Sequence, residues 1–162
     1  MSTTHQLADQ IRRDHARQID QLRAFHDAAT LWQTLPGITN SAGTLALHLE
    51  GNLSEYIERQ LGHLTYRRQR DLEFSSRNVG QEELISRLQN VLNTIPPIIE
   101  DVTAEQLATD FPEAVLGFPI PTQQFLFQLY GHLNWHLGQI DYLRRALTSS
   151  AALTPTPLAR RP

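Results

Sequence analysis

Two histidines one helical turn apart, His132 and His136, carry the clearest chemistry in this sequence. Side chains at i and i+4 share a helix face, roughly 5–6 Å apart at Cβ, so two imidazoles at this spacing can converge on one ion. The motif reads His-Leu-Asn-Trp-His, with Leu133 where a zinc peptidase carries its glutamate base, so peptidase chemistry fails at its catalytic residue. A third histidine, His48, falls on the apolar stripe of a different predicted helix. Burying three imidazoles without partners costs roughly 1–3 kcal/mol for each unsatisfied group, which a shared ligand removes. Zn, Ni, Fe, Mn and Co all accept imidazole, and three protein ligands with one open position is the usual catalytic arrangement. The plainer alternative is a structural histidine bonded to Tyr56 or Asn52. His5, His15, His26 and His63 read as surface or boundary residues, His63 because it follows a helix-ending glycine.

These side chains need helices to hold them, and the hydrophobic periodicity predicts four long ones. The first spans about Thr4 to Thr34 on Leu7, Ile11, Ile19, Leu22 and Ala29, and stops at Pro36-Gly37. The second spans about Ser41 to Leu61, capped by Asn40 or Ser41, with Leu45, His48, Leu49, Asn52 and Tyr56 inward and Gly62 at its end. Residues 62–80 form a long, arginine-rich connection, which frees the second and third helices from lying antiparallel. The third spans about Gln81 to Ile95 and should break or kink at Pro96-Pro97. Thr103 to Gln106 reads as a capping box that opens a short helix, and three prolines make residues 108–121 irregular. The fourth spans about Thr122 to Leu147, with Leu129, His132, Leu133, His136, Ile140 and Leu143 inward. Residues 1–148 therefore read as one domain, and the Ala/Thr/Pro-rich residues 149–162 as a disordered tail.

Composition narrows the chemistry further. The 162 residues are 40% apolar and 19% charged, which suits one globular domain. All 14 basic residues are arginine, so no lysine Schiff base or lysine base is available. There is no cysteine, which excludes disulfides, thiolate ligands and a cysteine nucleophile. The net charge of −3 argues against gripping a phosphate backbone. The polar first 20 residues make no secretory signal, and no run of 18 apolar residues spans a membrane, so the expected compartment is the cytoplasm.

The segments His48-Leu-Glu-Gly-Asn52 and His132-Leu-Asn-Trp-His136-Leu-Gly-Gln139 resemble the DinB/YfiT-like superfamily of metalloenzymes. The stretch Arg68-Gln-Arg70-Asp71-Leu-Glu73-Phe74 resembles a bacterial branch with no assigned function, and the likeness covers about residues 5–148. It implies an all-α four-helix bundle of up-down-down-up order with a long crossover between its second and third helices. It also implies a divalent metal, zinc or nickel first and iron, manganese or cobalt otherwise, held by His48, His132 and His136. Characterised relatives include transferases and isomerases that use small thiols such as mycothiol or bacillithiol, and many are homodimers.

A thiol reading has physical logic, because a metal at an open site lowers the pKa of a bound thiol and the thiolate is the nucleophile. With no cysteine in the chain, the thiol must be a cosubstrate. Arg67, Arg68 or Arg70 could hold its carboxylate or an anionic substrate, although such arginines often pair with residues like Asp71 and Glu73 at the surface. Asn52, one turn after His48, could orient water or substrate. Gln139, seven residues after His132, fits a supporting donor beside the ligands. Expected partners are a small-molecule substrate and a second copy of the chain, with no nucleic acid and no membrane. The face carrying Gly131, Trp135, Gly138 and Tyr142 is expected to pack on the first helix or to form a dimer contact. A non-catalytic bundle with a structural or ligand-binding metal is the competing function.

Overall fold

A computed structural model describes residues 2–154. The elements are α1 (Thr3–Arg23), α2 (Ala28–Leu31), α3 (Ala42–Leu53) running on as a π-helical segment (Ser54–Arg59), α4 (Arg70–Ser75), α5 (Gln81–Asp101), α6 (Ala104–Ala108) and α7 (Thr122–Thr148). Among the described residues there is no strand, only an isolated bridge between Asp110 and Pro121. No helix among them is long and apolar enough to cross a membrane.

Long-range contacts fix the direction of each long helix. Gln81 donates to the Leu22 carbonyl while Arg12 pairs with Glu100, so α1 and α5 run antiparallel. Arg87 pairs with Glu50 and Ile98 lies against Gly62, so α3 and α5 run parallel. Tyr130 bonds Asp14 and Arg144 bonds Gln21, so α7 runs parallel to α1. The result is a four-helix bundle of up-down-down-up order. Its core is the convergence of the predicted stripes: Leu7, Ile11, Ile19 and Leu22 of α1 against Leu84, Leu88, Ile95 and Ile99 of α5, closed by Leu45, Leu49, Leu129, Leu133 and Ile140. The parallel pair α3–α5 requires the chain to travel back along the bundle, which is the work of residues 62–80.

Three boundaries differ from the periodicity. The first helix ends at Arg23 rather than near Thr34, and Asp27 instead accepts from the Thr30 amide to start the separate turn α2. A short acidic side chain that caps offers the backbone an alternative to continuing the helix. Leu31 still reaches the core, so the apolar spacing survives the break. α5 runs through Pro96-Pro97 to Asp101 instead of stopping at Ile95. The two prolines deprive only the carbonyls of Leu92 and Asn93, while Ile95, Pro96 and Ile99 stay buried, so packing holds the final turn. The second helix widens into π-helical geometry over Ser54–Arg59 before His63 (φ 52) ends it. Gly62 is adjacent to that end, and a Cβ there would meet Ile98 of α5. Ser41, rather than Asn40, caps α3, and the predicted capping box at Thr103 and Gln106 is present.

The expected disordered tail begins with tied-down residues. Arg144 is 1% exposed and donates to Gln21, Asp141, Ser150 and the Ala151 carbonyl. Residues 155–162, the remainder of that tail, lie outside the described residues.

Candidate metal centre

α3 and α7 pack side by side, and their inward stripes bring His48, His132 and His136 together. One ligand nitrogen from each ring lies within 4.8 Å of the others. His132 Nε2 is 3.3 Å from His48 Nε2 and 3.0 Å from His136 Nε2. The three rings stand nearly perpendicular in pairs, at 83°, 88° and 84°.

The protons on these rings are set from behind. Glu73 Oε2 lies 3.0 Å from His48 Nδ1, and an ionised carboxylate only accepts, so His48 carries its proton on Nδ1. Gln139 Oε1 lies 2.7 Å from His136 Nδ1 and fixes that ring the same way. Both rings therefore turn an Nε2 lone pair toward His132. His132 Nδ1 is buried with no partner. A single proton on His132 Nε2 can satisfy only one of its two close contacts, so the cluster is short of positive charge at its centre. A divalent ion supplies that charge. Metal–imidazole bonds of roughly 2.0–2.1 Å place neighbouring ligand nitrogens about 3 Å apart, the spacing of His132 Nε2 from each of the other two rings, and all three lie within 4.8 Å of one another. The residues fit a metal.

Electrostatics point the same way. Burial pushes the His132 ring down to about 4, with His136, His48 and Arg68 adding to the effect. Burial also lowers His136, against the opposing bond to Gln139. Both rings therefore stay neutral and ligating at neutral pH. Burial pushes the Glu73 carboxyl up, but the Arg68 guanidinium and the His48 ring outweigh it and hold the group below its ordinary value. Arg68 grips Glu73 with two bonds, from Nε at 2.6 Å and Nη2 at 2.9 Å. A bidentate guanidinium fixes the carboxylate plane, and the carboxylate in turn fixes the ligand ring.

Glu73 reaches this position because α4 lies against α3 at Gly51. A Cβ on Gly51 would overlap Glu73 Oε1, so the close approach requires glycine. Glu73 is the residue that the sequence reading does not bring to the site, where it stands only as a surface partner for arginine. Its signal was its place in the Arg68–Phe74 stretch, beside Phe74, whose ring stands 5.0 Å from that of His48.

The other expected site residues separate. Arg68 and Gln139 join the centre through Glu73 and His136. Asn52 is buried one turn beyond His48, with Oδ1 unpartnered. Arg67 lines a polar cavity of about 230 Å³ on the other side of Glu73. Arg70 lies over the Phe74 ring, 5.6 Å from its centroid. Tyr56 packs against Phe111 and Phe125 beneath Arg68, and Tyr130 bonds Asp14 instead of reaching the histidines. His15, expected near the surface, is buried against the Leu88 carbonyl. The Trp135 face does not pack on α1: Trp135 is 70% and Tyr142 72% exposed, and a Cβ on Gly131 or Gly138 would meet nothing.

Comparison with solved structures gives the class. A conserved protein from Enterococcus faecalis superposes with a TM-score of 0.74 at 15% identity, over 93% of this chain and 99% of that one. A DinB-like protein from Bacillus cereus superposes with a TM-score of 0.66 at 19% identity, over 91% of each chain. The chain thus has the DinB-like helical fold, and it carries three histidines placed to bind a metal. No protein-family profile and no curated protein matches the sequence.

Proposed function

We propose that this chain is a metal-dependent enzyme of DinB-like type, with His48, His132 and His136 holding one divalent ion, zinc or nickel before the others. The carrying observation is the convergence of His48, His132 and His136 Nε2, with the Nδ1 atoms of His48 and His136 turned to Glu73 and Gln139. Among the described residues no aspartate or glutamate completes the cluster, so the donor set has three members and leaves room for a ligand from solution. A donor set of three histidines favours catalysis over a closed structural site. Such an ion supplies Lewis acidity, lowering the pKa of a thiol or water that reaches it.

The chain's own residues then have distinct roles. Arg68 positions Glu73, and Glu73 holds the proton of His48 at Nδ1. Gln139 does the same for His136. Asn52, with an unused buried oxygen on the His48 face, orients the incoming group. A small thiol is the cosubstrate we favour, on the likeness to the DinB-like fold; with no cysteine in the chain it comes from solution. The exposed Trp135 and Tyr142 support a homodimer through α7.

Elemental analysis of the purified chain tests the first step, with one equivalent of metal expected. Titrating the Co(II)-loaded chain with glutathione as the probe thiol tests the second. A new near-ultraviolet charge-transfer band supports thiol binding, and an unchanged spectrum refutes it. Absence of stoichiometric metal refutes the whole reading.

A further inference from the structure

Two cavities adjoin the histidine cluster, and their linings are opposite in character. The one behind Glu73 is polar, with Tyr66, Arg67, Gln69 and Arg87 in its wall. Its link to the histidines is a carboxylate already committed to Arg68 and His48. The other lies between the 35–40 loop and the C-terminal half of α7, with a volume of about 380 Å³. Its wall is mostly carbon, from Leu35, Ile38, Leu45, Leu143 and Ala146, with the Tyr142 ring at one side. Gln139 is also in that wall, and its Oε1 accepts from His136 Nδ1. The Gln139 side chain and the His136 ring therefore stand between the groove and the nitrogens that face one another. Gln139 is exposed, and with Oε1 turned to His136 its amide NH2 is open to the solvent side.

A concave, mainly apolar cavity of roughly 300–1,000 Å³ with a few polar groups is the usual form of a small-molecule site. We propose that this groove seats the apolar body of the substrate, one aromatic ring or a branched alkyl group of similar size, while the substrate's polar end reaches the His48–His132–His136 face. This rests on the metal-dependent reading above. The substrate class is a small molecule with a metal-seeking head and a hydrophobic arm, and Gln139 offers its amide to an acceptor between the two.

Hydroxamates separate the two ideas, because one head can carry different arms. The probes are acetohydroxamate and 3-phenylpropanohydroxamate, titrated into the Co(II)-loaded chain and followed by visible absorption. The phenyl arm should tighten binding about thirtyfold, as burial of one ring implies. Ala146→Trp fills the groove from an exposed helix position, and should reduce that gain below about threefold. Equal affinity of the two probes for the unmodified chain overturns the groove and leaves the metal reading intact. A gain that persists in Ala146→Trp places the arm elsewhere and also overturns it. Failure of both probes to change the spectrum of the loaded chain shows that the ion offers no open position, and rejects the enzymatic reading on which the proposal rests. Sedimentation completes the test: an unmodified dimer that becomes a monomer on Ala146→Trp would give the groove to a second copy, against the proposal.

Discussion

Burial pushes His15, in the seam between α1 and α5, and His132, in the seam between α3 and α7, to the same pKa of about 4. What surrounds them differs. His15 meets a backbone carbonyl, Leu88 O at 3.0 Å, which accepts the proton of its Nε2, and no other ring nitrogen faces it; its Nδ1 is buried without a partner. His132 meets two more imidazoles whose protons are already drawn away by Glu73 and Gln139. Depressed basicity alone therefore marks no site. Ring nitrogens converging on one point do, because one cation can satisfy all three.

Substitution can break this contrast, and the largest effect belongs to the ligands. His136→Ala should lose stoichiometric metal, while His63→Ala and His15→Gln should keep it, as elemental analysis would show. Equal metal in the three variants would erase the distinction between the seams.

Acid comes next. His15 has its folded-state pKa below its ordinary value of 6.5, so the unfolded chain binds the extra proton first. Its stabilising contribution is present above about pH 6.5 and is lost as pH falls toward about 4, amounting to about 3 kcal/mol. Urea unfolding of His15→Gln should show a correspondingly shallower loss over that window. Added metal should leave this component in place. By contrast, acid release of metal from the triad should shift to lower pH as free metal rises, since protons and metal compete for the same nitrogens.

The supports behind the ligands sharpen the comparison. Glu73→Gln should weaken metal binding about 10- to 100-fold in chelator competition, as loss of a partner behind a ligand does. Gly51→Ala should act in the same direction, because its Cβ takes the space of the Glu73 carboxylate. An unchanged affinity in both would show that Glu73 does not orient His48. The smallest effect should come from the outer face of α7: Trp135→Gln should change monomer stability by less than about 0.5 kcal/mol, measured by denaturant unfolding.

Much of the arrangement was legible because helices obey one period. Spacing put His48 inward beside Leu45 and Leu49, and put His132 and His136 inward beside Leu129, Leu133 and Ile140; all of these leucines and isoleucines are buried. Trp135, three residues from His132, stands about 60° round α7 from it and about 100° from His136, so periodicity places it on a flank of the histidine face. It could not say whether that side meets a neighbour. The exposure of Trp135 and Tyr142 answers that for α1. His15 went the other way, because an apolar seam can absorb one imidazole when a carbonyl waits opposite. The length of α5 was likewise misjudged at Pro96-Pro97: local rules count a lost N–H, while burial of Ile95 and Ile99 is contributed by another helix.

By itself, the order of residues determined four amphipathic helices, an inward place for three imidazoles, and the need for any thiol to come from outside. Those are properties of spacing and composition, which act within one helix at a time. Tertiary structure alone decided that Glu73, twenty-five residues from His48, stands behind it. It also decided that Gly51 clears the room, and that an apolar groove opens beside Gln139. These are relations between elements. They depend on how closely two backbones approach and which atoms then touch, and no local pattern encodes that distance.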